Sequence, residues 1–117
     1  MIYGRRFARG NHGKRNQGMN KLETAYQQHL EMRRLAGEII WYEFEKIKFK
    51  LAPNTFYTPD FIVMLPDGLI EIHEVKGFWE DDARVKIKVA ADQFPFVFRA
   101  IRRASKKDGG GWIIEDF

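Results

Sequence analysis

Two runs of strand-forming residues separated by a strong turn signal constrain the fold of this chain more than any other feature. The runs cover residues 60–65 and 69–76, and Pro66, Asp67 and Gly68 lie between them. Proline, aspartate and glycine in succession are typical of tight turns, and glycine readily adopts the left-handed backbone that closes a three-residue loop. The pattern predicts a β-hairpin whose loop is residues 66–68.

The length of this loop predicts which residues face each other across the hairpin. Counting outward from the leucines that flank the loop puts Asp60 opposite Glu74, with their Cβ atoms about 5 Å apart on one face. Lys76 lies two residues beyond Glu74 and therefore on the same face. Two carboxylates this close repel each other, and a cation that prefers oxygen ligands would offset the repulsion.

We therefore predict a site for Mg²⁺ or Mn²⁺ at the open end of the hairpin. Asp60 and Glu74 would be its side-chain ligands, and the backbone carbonyl of Val75 would be a third. Lys76 beside the ion could orient or deprotonate a water molecule and stabilise negative charge in the transition state of phosphodiester hydrolysis.

The remaining pattern predicts helices on both sides of this hairpin. Asn20 and Gly37 are good start and stop residues for a helix over 21–36. Residues 39–51 are predicted as one long strand whose second half has a wet lysine face, and residues 52–59 as a loop with two prolines. A second helix from residue 81 or 82 to 93 and strands over 96–104 and 112–115 follow. This order predicts a single α/β domain with a mixed central sheet and a C-terminal β-hairpin.

Positive charge is concentrated at the start of the chain. Residues 1–18 contain no acid and five cations, namely Arg5, Arg6, Arg9, Lys14 and Arg15, whereas the net charge of all 117 residues is +4. We predict a flexible basic arm over residues 1–18 that binds nucleic acid, although a solubilising tail would look the same. Residues 19–117 form the predicted domain.

Composition excludes some classes of site. The chain has no cysteine, so disulfides, thiolate metal sites and cysteine nucleophiles are excluded. No apolar run approaches the roughly 20 residues of a membrane span, and no apolar segment of a signal peptide follows the basic N-terminus. We expect a cytoplasmic protein without a membrane partner.

The motif resembles that of the PD-(D/E)XK nuclease superfamily, through Thr58-Pro59-Asp60, the hairpin, and Glu74-Val75-Lys76-Gly77. The resemblance covers roughly residues 19–102 and is greatest to small phage-encoded endonucleases related to Holliday-junction resolvases. It implies an αβββαβ restriction-endonuclease-like core, metal-ligand roles for Asp60 and Glu74 and a catalytic role for Lys76. It further implies a Mg²⁺-dependent endodeoxyribonuclease, directed to branched DNA, dimeric, and acting in the host cytoplasm if phage-encoded.

Three further interpretations remain open at this point. Many members of that superfamily place a glutamate from the first helix in the site, and Glu23 matches it, although Asn20 and Glu23 also form a capping-box pattern. Arg84 and Lys86 are predicted to contact DNA, or else form a solvated helix face. His73 is expected to be a sheet-surface residue rather than a metal ligand.

Two other functions compete with the nuclease. The first is a non-catalytic DNA-binding or architectural module on the same scaffold, in which the basic arm acts. The second is an RNA-binding or phage assembly protein that uses exposed aromatic residues. The complete set of Asp60, Glu74 and Lys76 argues against the first of these.

Overall fold

The protein folds as a mixed five-stranded sheet with one helix packed against each face. The computed structural model describes residues 18–117. In chain order the elements are α1 (Lys21–Leu35), β1 (Trp41–Phe44), β2 (Phe49–Ala52), β3 (Thr55–Tyr57), β4 (Phe61–Met64), β5 (Ile70–Val75), α2 (Asp81–Gln93), β6 (Val97–Arg103), a 3-10 turn (Lys106–Asp108) and β7 (Trp112–Asp116). Neither helix in this range is long and apolar enough to cross a membrane.

The order of strands in the sheet is β1-β4-β5-β6-β7. All neighbours are antiparallel except β5 and β6, which are parallel. Parallel neighbours need a long crossover connection, and α2 provides it. The predicted α/β class and mixed sheet are confirmed, and β6 and β7 form the predicted C-terminal hairpin. The more specific restriction-endonuclease-like core stays a prediction.

The central hairpin has the predicted register. Phe61 pairs with His73 and Met64 with Ile70, which is the pairing obtained by counting outward from a loop over residues 66–68. Gly68 closes the loop with a left-handed φ of 91°, and its amide donates to the Leu65 carbonyl at 2.8 Å.

Helix α1 begins with the predicted cap and covers one face of the sheet. The Asn20 side chain accepts from the Glu23 amide at 2.7 Å, and Glu23 Oε1 accepts from the Asn20 amide at 2.9 Å. Two of the four amides that a helix leaves without partners at its start are thereby satisfied. The buried side chains of Tyr26 and Leu30 pack onto strand residues that include Phe61.

The prediction of one long strand over 39–51 is wrong. The chain leaves the sheet at Glu45, which has a φ of 47° and whose amide donates to the Asp60 carbonyl at 2.8 Å. It then forms a separate two-stranded hairpin from β2 and β3, so the predicted loop over 52–59 contains a strand. Such a ribbon is marginal alone, and it is stabilised here because Phe49 and Tyr57 pack with α2 residues.

The expectation that His73 lies on the surface of the sheet is also wrong. It is 1% exposed, because α1 covers this face of β5. Its Nε2 lies 2.9 Å from Glu71 Oε1 and its Nδ1 2.7 Å from the Tyr26 hydroxyl. Since a carboxylate only accepts, Nε2 carries the proton and Nδ1 accepts from Tyr26. Burial lowers the pKa of His73, against the opposing effect of Glu71.

Removing the Tyr26 hydroxyl tests this buried contact. We expect Tyr26→Phe to lower the free energy of unfolding by about 1–3 kcal/mol, because His73 Nδ1 loses its partner inside the core. Urea unfolding followed by circular dichroism measures the loss. The control is Tyr42→Phe, which removes a half-buried hydroxyl bonded to Glu31 at 2.9 Å and should cost less than about 1 kcal/mol. Equal losses would contradict the importance of burial for the His73 contact.

Candidate active site

Two buried carboxylates lie at the open end of the β4–β5 hairpin. Asp60 is 7% exposed and Glu74 is 6% exposed. Because Phe61 pairs with His73, the next position outward puts Asp60 opposite Glu74, as predicted. The Val75 amide donates to Asp60 Oδ2 at 2.8 Å, which fixes the carboxylate against β5.

Both oxygens of Glu74 have a partner. The Tyr57 hydroxyl donates to Oε1 at 2.8 Å, and Lys76 Nζ lies 3.1 Å from Oε2. Each carboxylate oxygen has a second lone pair that remains free for another ligand. Glu74 is therefore held in one orientation while it keeps the capacity to bind a cation.

Lys76 continues the same face of the strand. Its backbone amide donates to the Ile101 carbonyl at 2.9 Å, so β6 holds it in the extension of β5. Burial lowers the pKa of Lys76, but the Glu74 and Asp60 carboxylates outweigh that effect and raise it. The side chain is therefore an ammonium group, able to donate to an anionic oxygen in the cleft.

Negative charge is unbalanced at Asp60. Burial raises the pKa of Asp60 most, the Glu74 carboxylate raises it further, and Glu23 adds to the rise against the opposing Val75 amide. Such crowding of acids is what a bound cation relieves. The donors are carboxylate oxygens, which fit a hard divalent ion such as Mg²⁺ completed by water.

Larger groups of ligands are absent from the part of the chain that the structure describes. Within residues 18–117, no set of three or more His, Cys, Asp or Glu side chains is arranged to hold a metal ion. The predicted set is smaller, since it uses the side chains of Asp60 and Glu74 and the backbone carbonyl of Val75. It stays a prediction.

Glu23 both caps α1 and lies near the candidate site. It caps α1, and it is 9% exposed and close enough to act electrostatically on Asp60. The cap uses Oε1, so this residue enters the site as a fixed neighbouring charge. Its catalytic role stays a prediction.

A cleft of about 270 Å³ opens beside these groups. Tyr57 and Thr58 form one side, Glu74 belongs to β5 and Lys76 directly follows it, and Lys86 comes from α2. The site therefore combines two strands and the crossover helix. The position of Lys86 is consistent with its predicted contact with a phosphate.

Arg84 lies elsewhere. Its Nη2 is 2.6 Å from Glu115 Oε2, and its guanidinium packs over the rings of Trp79 and Phe117 at 5.3 Å each. Of the two predicted basic contacts on α2, the structure brings Lys86 to the cleft and engages Arg84 with the C-terminal strand. The arm residues Arg5, Arg6, Arg9, Lys14 and Arg15 lie outside the described residues.

Tyr57 is the site residue that sequence reasoning missed. Pro53 and Pro59 favour a loop over the segment that contains it. A signal was available, since Thr55, Phe56 and Tyr57 are three consecutive residues with high strand propensity. Because side chains alternate along a strand, Tyr57 points to the opposite side from Phe56.

The pKa of Asp60 predicts a pH-dependent effect on stability. Its pKa is raised from 3.8 to about 8, so the contribution of the protonated form to stability is complete below pH 3.8 and is lost as the pH rises toward 8. Asp60→Asn supplies a neutral acceptor for the Val75 amide at every pH. We expect the metal-free variant to match the wild type near pH 4 and to exceed it near pH 8, by at least about 1 kcal/mol.

Thermal unfolding in EDTA across this pH range makes the measurement. Asp67→Asn is the matched control, since Asp67 is an exposed acid of the same hairpin whose side chain also accepts from a backbone amide. A variant Asp60→Asn that is less stable than the wild type at pH 8 would contradict the electrostatic account.

Comparison with known proteins adds no relative. Neither a protein-family model, nor a curated protein, nor a solved structure matches this chain.

Proposed function

We propose that this protein is a metal-dependent endonuclease that hydrolyses DNA phosphodiester bonds. The observation that supports it is the meeting of Asp60 and Glu74 across one hairpin, with the Lys76 ammonium 3.1 Å from Glu74. Two acids and a lysine at the edge of a cleft are the groups that such hydrolysis needs.

Asp60, Glu74 and the Val75 carbonyl would hold Mg²⁺ or Mn²⁺. When bound, the ion supplies Lewis acidity and lowers the pKa of a coordinated water. The hydroxyl of Tyr57 fixes the orientation of Glu74. Lys76 donates to a phosphate oxygen and stabilises the negative charge that grows on the phosphorus oxygens as water adds.

The proposed substrate is DNA, directed by its structure. Lys86 lines the same cleft as Lys76, so two cations are available to a phosphodiester. Ammonium groups contact phosphates without reading bases, which favours recognition through shape and phosphates. Branched DNA and a homodimer are proposed from the resemblance.

A non-catalytic DNA-binding module is the second candidate. It is favoured by the internal partners of both acids, since Val75 binds Asp60 and Tyr57 and Lys76 bind Glu74. A cluster that only stabilises the fold would have the same contacts. The two functions differ in whether DNA is cut.

Cleavage assays separate the two functions. We expect the protein to cut a four-way junction or supercoiled plasmid with Mg²⁺ or Mn²⁺ and to leave it intact in EDTA. Asp60→Ala and Lys76→Ala should each lower the rate at least about 100-fold, because each removes a group needed in the transition state. Agarose and denaturing gels measure the products.

Matched variants distinguish chemistry from charge. Asp67→Ala removes an acid from the turn of the same hairpin, and Lys88→Ala removes a lysine from the exposed part of α2. Both should keep near wild-type rates. DNA binding without cutting under every metal condition would contradict the nuclease and support the binding module.

Tyr57 provides a test of metal binding that does not depend on activity. We expect Tyr57→Phe to weaken Mn²⁺ binding by roughly tenfold, because a ligand loses the partner that orients it. Isothermal titration calorimetry of the protein without DNA measures the affinity. Tyr42→Phe, which removes a hydroxyl bonded to the distant Glu31, should leave it unchanged. Equal Mn²⁺ affinities for wild type and Tyr57→Phe would contradict this role.

A further inference from the structure

We propose that the outer face of the β2–β3 hairpin binds the sugar-phosphate backbone of DNA and directs it past the cleft. This inference rests on the proposed function, because it assigns a DNA-docking surface to the same site. The surface consists of Lys48, Lys50 and Phe56, and it is called the outer face below.

Charge is one-sided along this segment. Residues 46–59 contain three lysines and no acid. Lys48 and Lys50 are exposed, and neither forms an ion pair with any residue between 18 and 117. Lys46 has only a loose contact, 3.9 Å from Glu43. Lys50 lies in β2 and Lys48 directly precedes that strand, and two exposed ammonium groups spaced two residues apart suit a ladder of phosphates.

An aromatic ring completes the outer face. Phe56 lies directly across the ribbon from Lys50 and is 40% exposed. Lys48 Nζ lies 4.7 Å from the centre of its ring, so the lysine and the ring share one surface. Lysines interleaved with an exposed aromatic ring are typical of surfaces that hold a backbone and stack on an unpaired base.

The inner face fixes the position of this surface. Phe49 packs on Phe94 with ring centres 4.6 Å apart, and the Gln93 side chain donates to the Leu51 carbonyl at 3.2 Å. The hairpin is therefore attached to α2 through ring packing and a hydrogen bond, and it can bind without first being ordered.

One strand connects the outer face to the chemistry. Successive residues of a strand point to opposite sides, so Phe56 faces solvent while Tyr57 donates its hydroxyl to Glu74. Tyr57 and Thr58 then line the cleft together with Lys76 and Lys86. The outer face and the cleft therefore share β3, and DNA bound on the outer face lies beside the strand that lines the cleft.

Charge complementarity selects DNA as the occupant. The outer face presents cations with a single ring at their centre, and no continuous apolar patch that would bury an apolar partner. An acidic protein is the rival occupant, and it is separated by competition below.

Binding is measured by fluorescence anisotropy with labelled single-stranded and duplex DNA over a range of salt, in EDTA and again with Ca²⁺. We expect Lys48→Gln with Lys50→Gln to reduce the slope of log affinity against log salt by about 1.4 on single strands and 1.8 on duplex. Phe56→Ala should weaken single-strand binding at least about fivefold without changing the slope.

The control is Arg33→Gln with Arg34→Gln, which removes the same charge at the far end of α1. From that end of α1 the chain continues to Ile40, whose amide donates to the Met64 carbonyl. Met64 is the last residue of β4, whereas Asp60 directly precedes its first residue. The control should keep the wild-type slope. Melting temperatures of all variants, within a few degrees of the wild type, establish that each is folded.

Each outcome bears on one proposal at a time. Unchanged slopes for the lysine variant, in a protein that binds and cuts DNA, overturn the outer face and leave the nuclease standing. Reduced slopes in a protein that never cuts DNA support the outer face and overturn the nuclease. Competition by polyglutamate as strong as by DNA, at equal charge, would assign the surface to an acidic protein and overturn the proposal.

Discussion

The repulsion between two buried carboxylates is the constraint on which the site depends. Asp60 and Glu74 are each less than a tenth exposed, and burial of acids side by side is costly unless hydrogen bonds and cations compensate. The surrounding groups do so in part: a backbone amide from Val75, a hydroxyl from Tyr57 and an ammonium from Lys76. The pKa of Asp60 is raised, first by burial and then by the Glu74 carboxylate, so part of this cost remains uncompensated.

The sequence was sufficient to predict this meeting because the determinants are local. Gly68 supplies the left-handed residue of a three-residue loop, and a two-residue periodicity then places every side chain of the hairpin on a known face. The same holds for the start of α1, where Asn20 and Glu23 are three residues apart. Short-range chemistry therefore accounts for the hairpin, the cap and the order of the main elements.

The features that escaped prediction depend on partners far along the chain. The alternation shifts phase at Glu45, because apolar residues fall on even numbers at Tyr42 and Phe44 and on odd numbers from Ile47 onward. Such a shift fits a β-bulge within one strand as well as a departure from the sheet, so the local pattern does not decide between them. His73 contacts Tyr26, which is 47 residues away in the chain. Arg84 contacts Glu115, which is 31 residues away. Tyr57 meets Glu74 only because the second hairpin packs on α2. These contacts are tertiary, and no local pattern encodes them.

The two faces of β5 show why one cluster is closed and the other is open to a ligand. On the α1 face, Glu71 is hydrogen-bonded to His73 and lies 3.5 Å from Arg99, so its charge is balanced inside the protein.

The cleft on the other face is lined by three acids and two amines, namely Glu74, Glu80, Asp82, Lys76 and Lys86. Asp60 lies opposite Glu74 and adds a fourth acid. Acid therefore exceeds base, and the cleft by itself repels a phosphate. In the proposed function, a divalent cation bound by the carboxylates would cancel this excess of negative charge, and the lysines of the outer face would attract DNA independently. Under this proposal, separation of the acids from the exposed lysines would allow one small domain to hold both a cation and a polyanion.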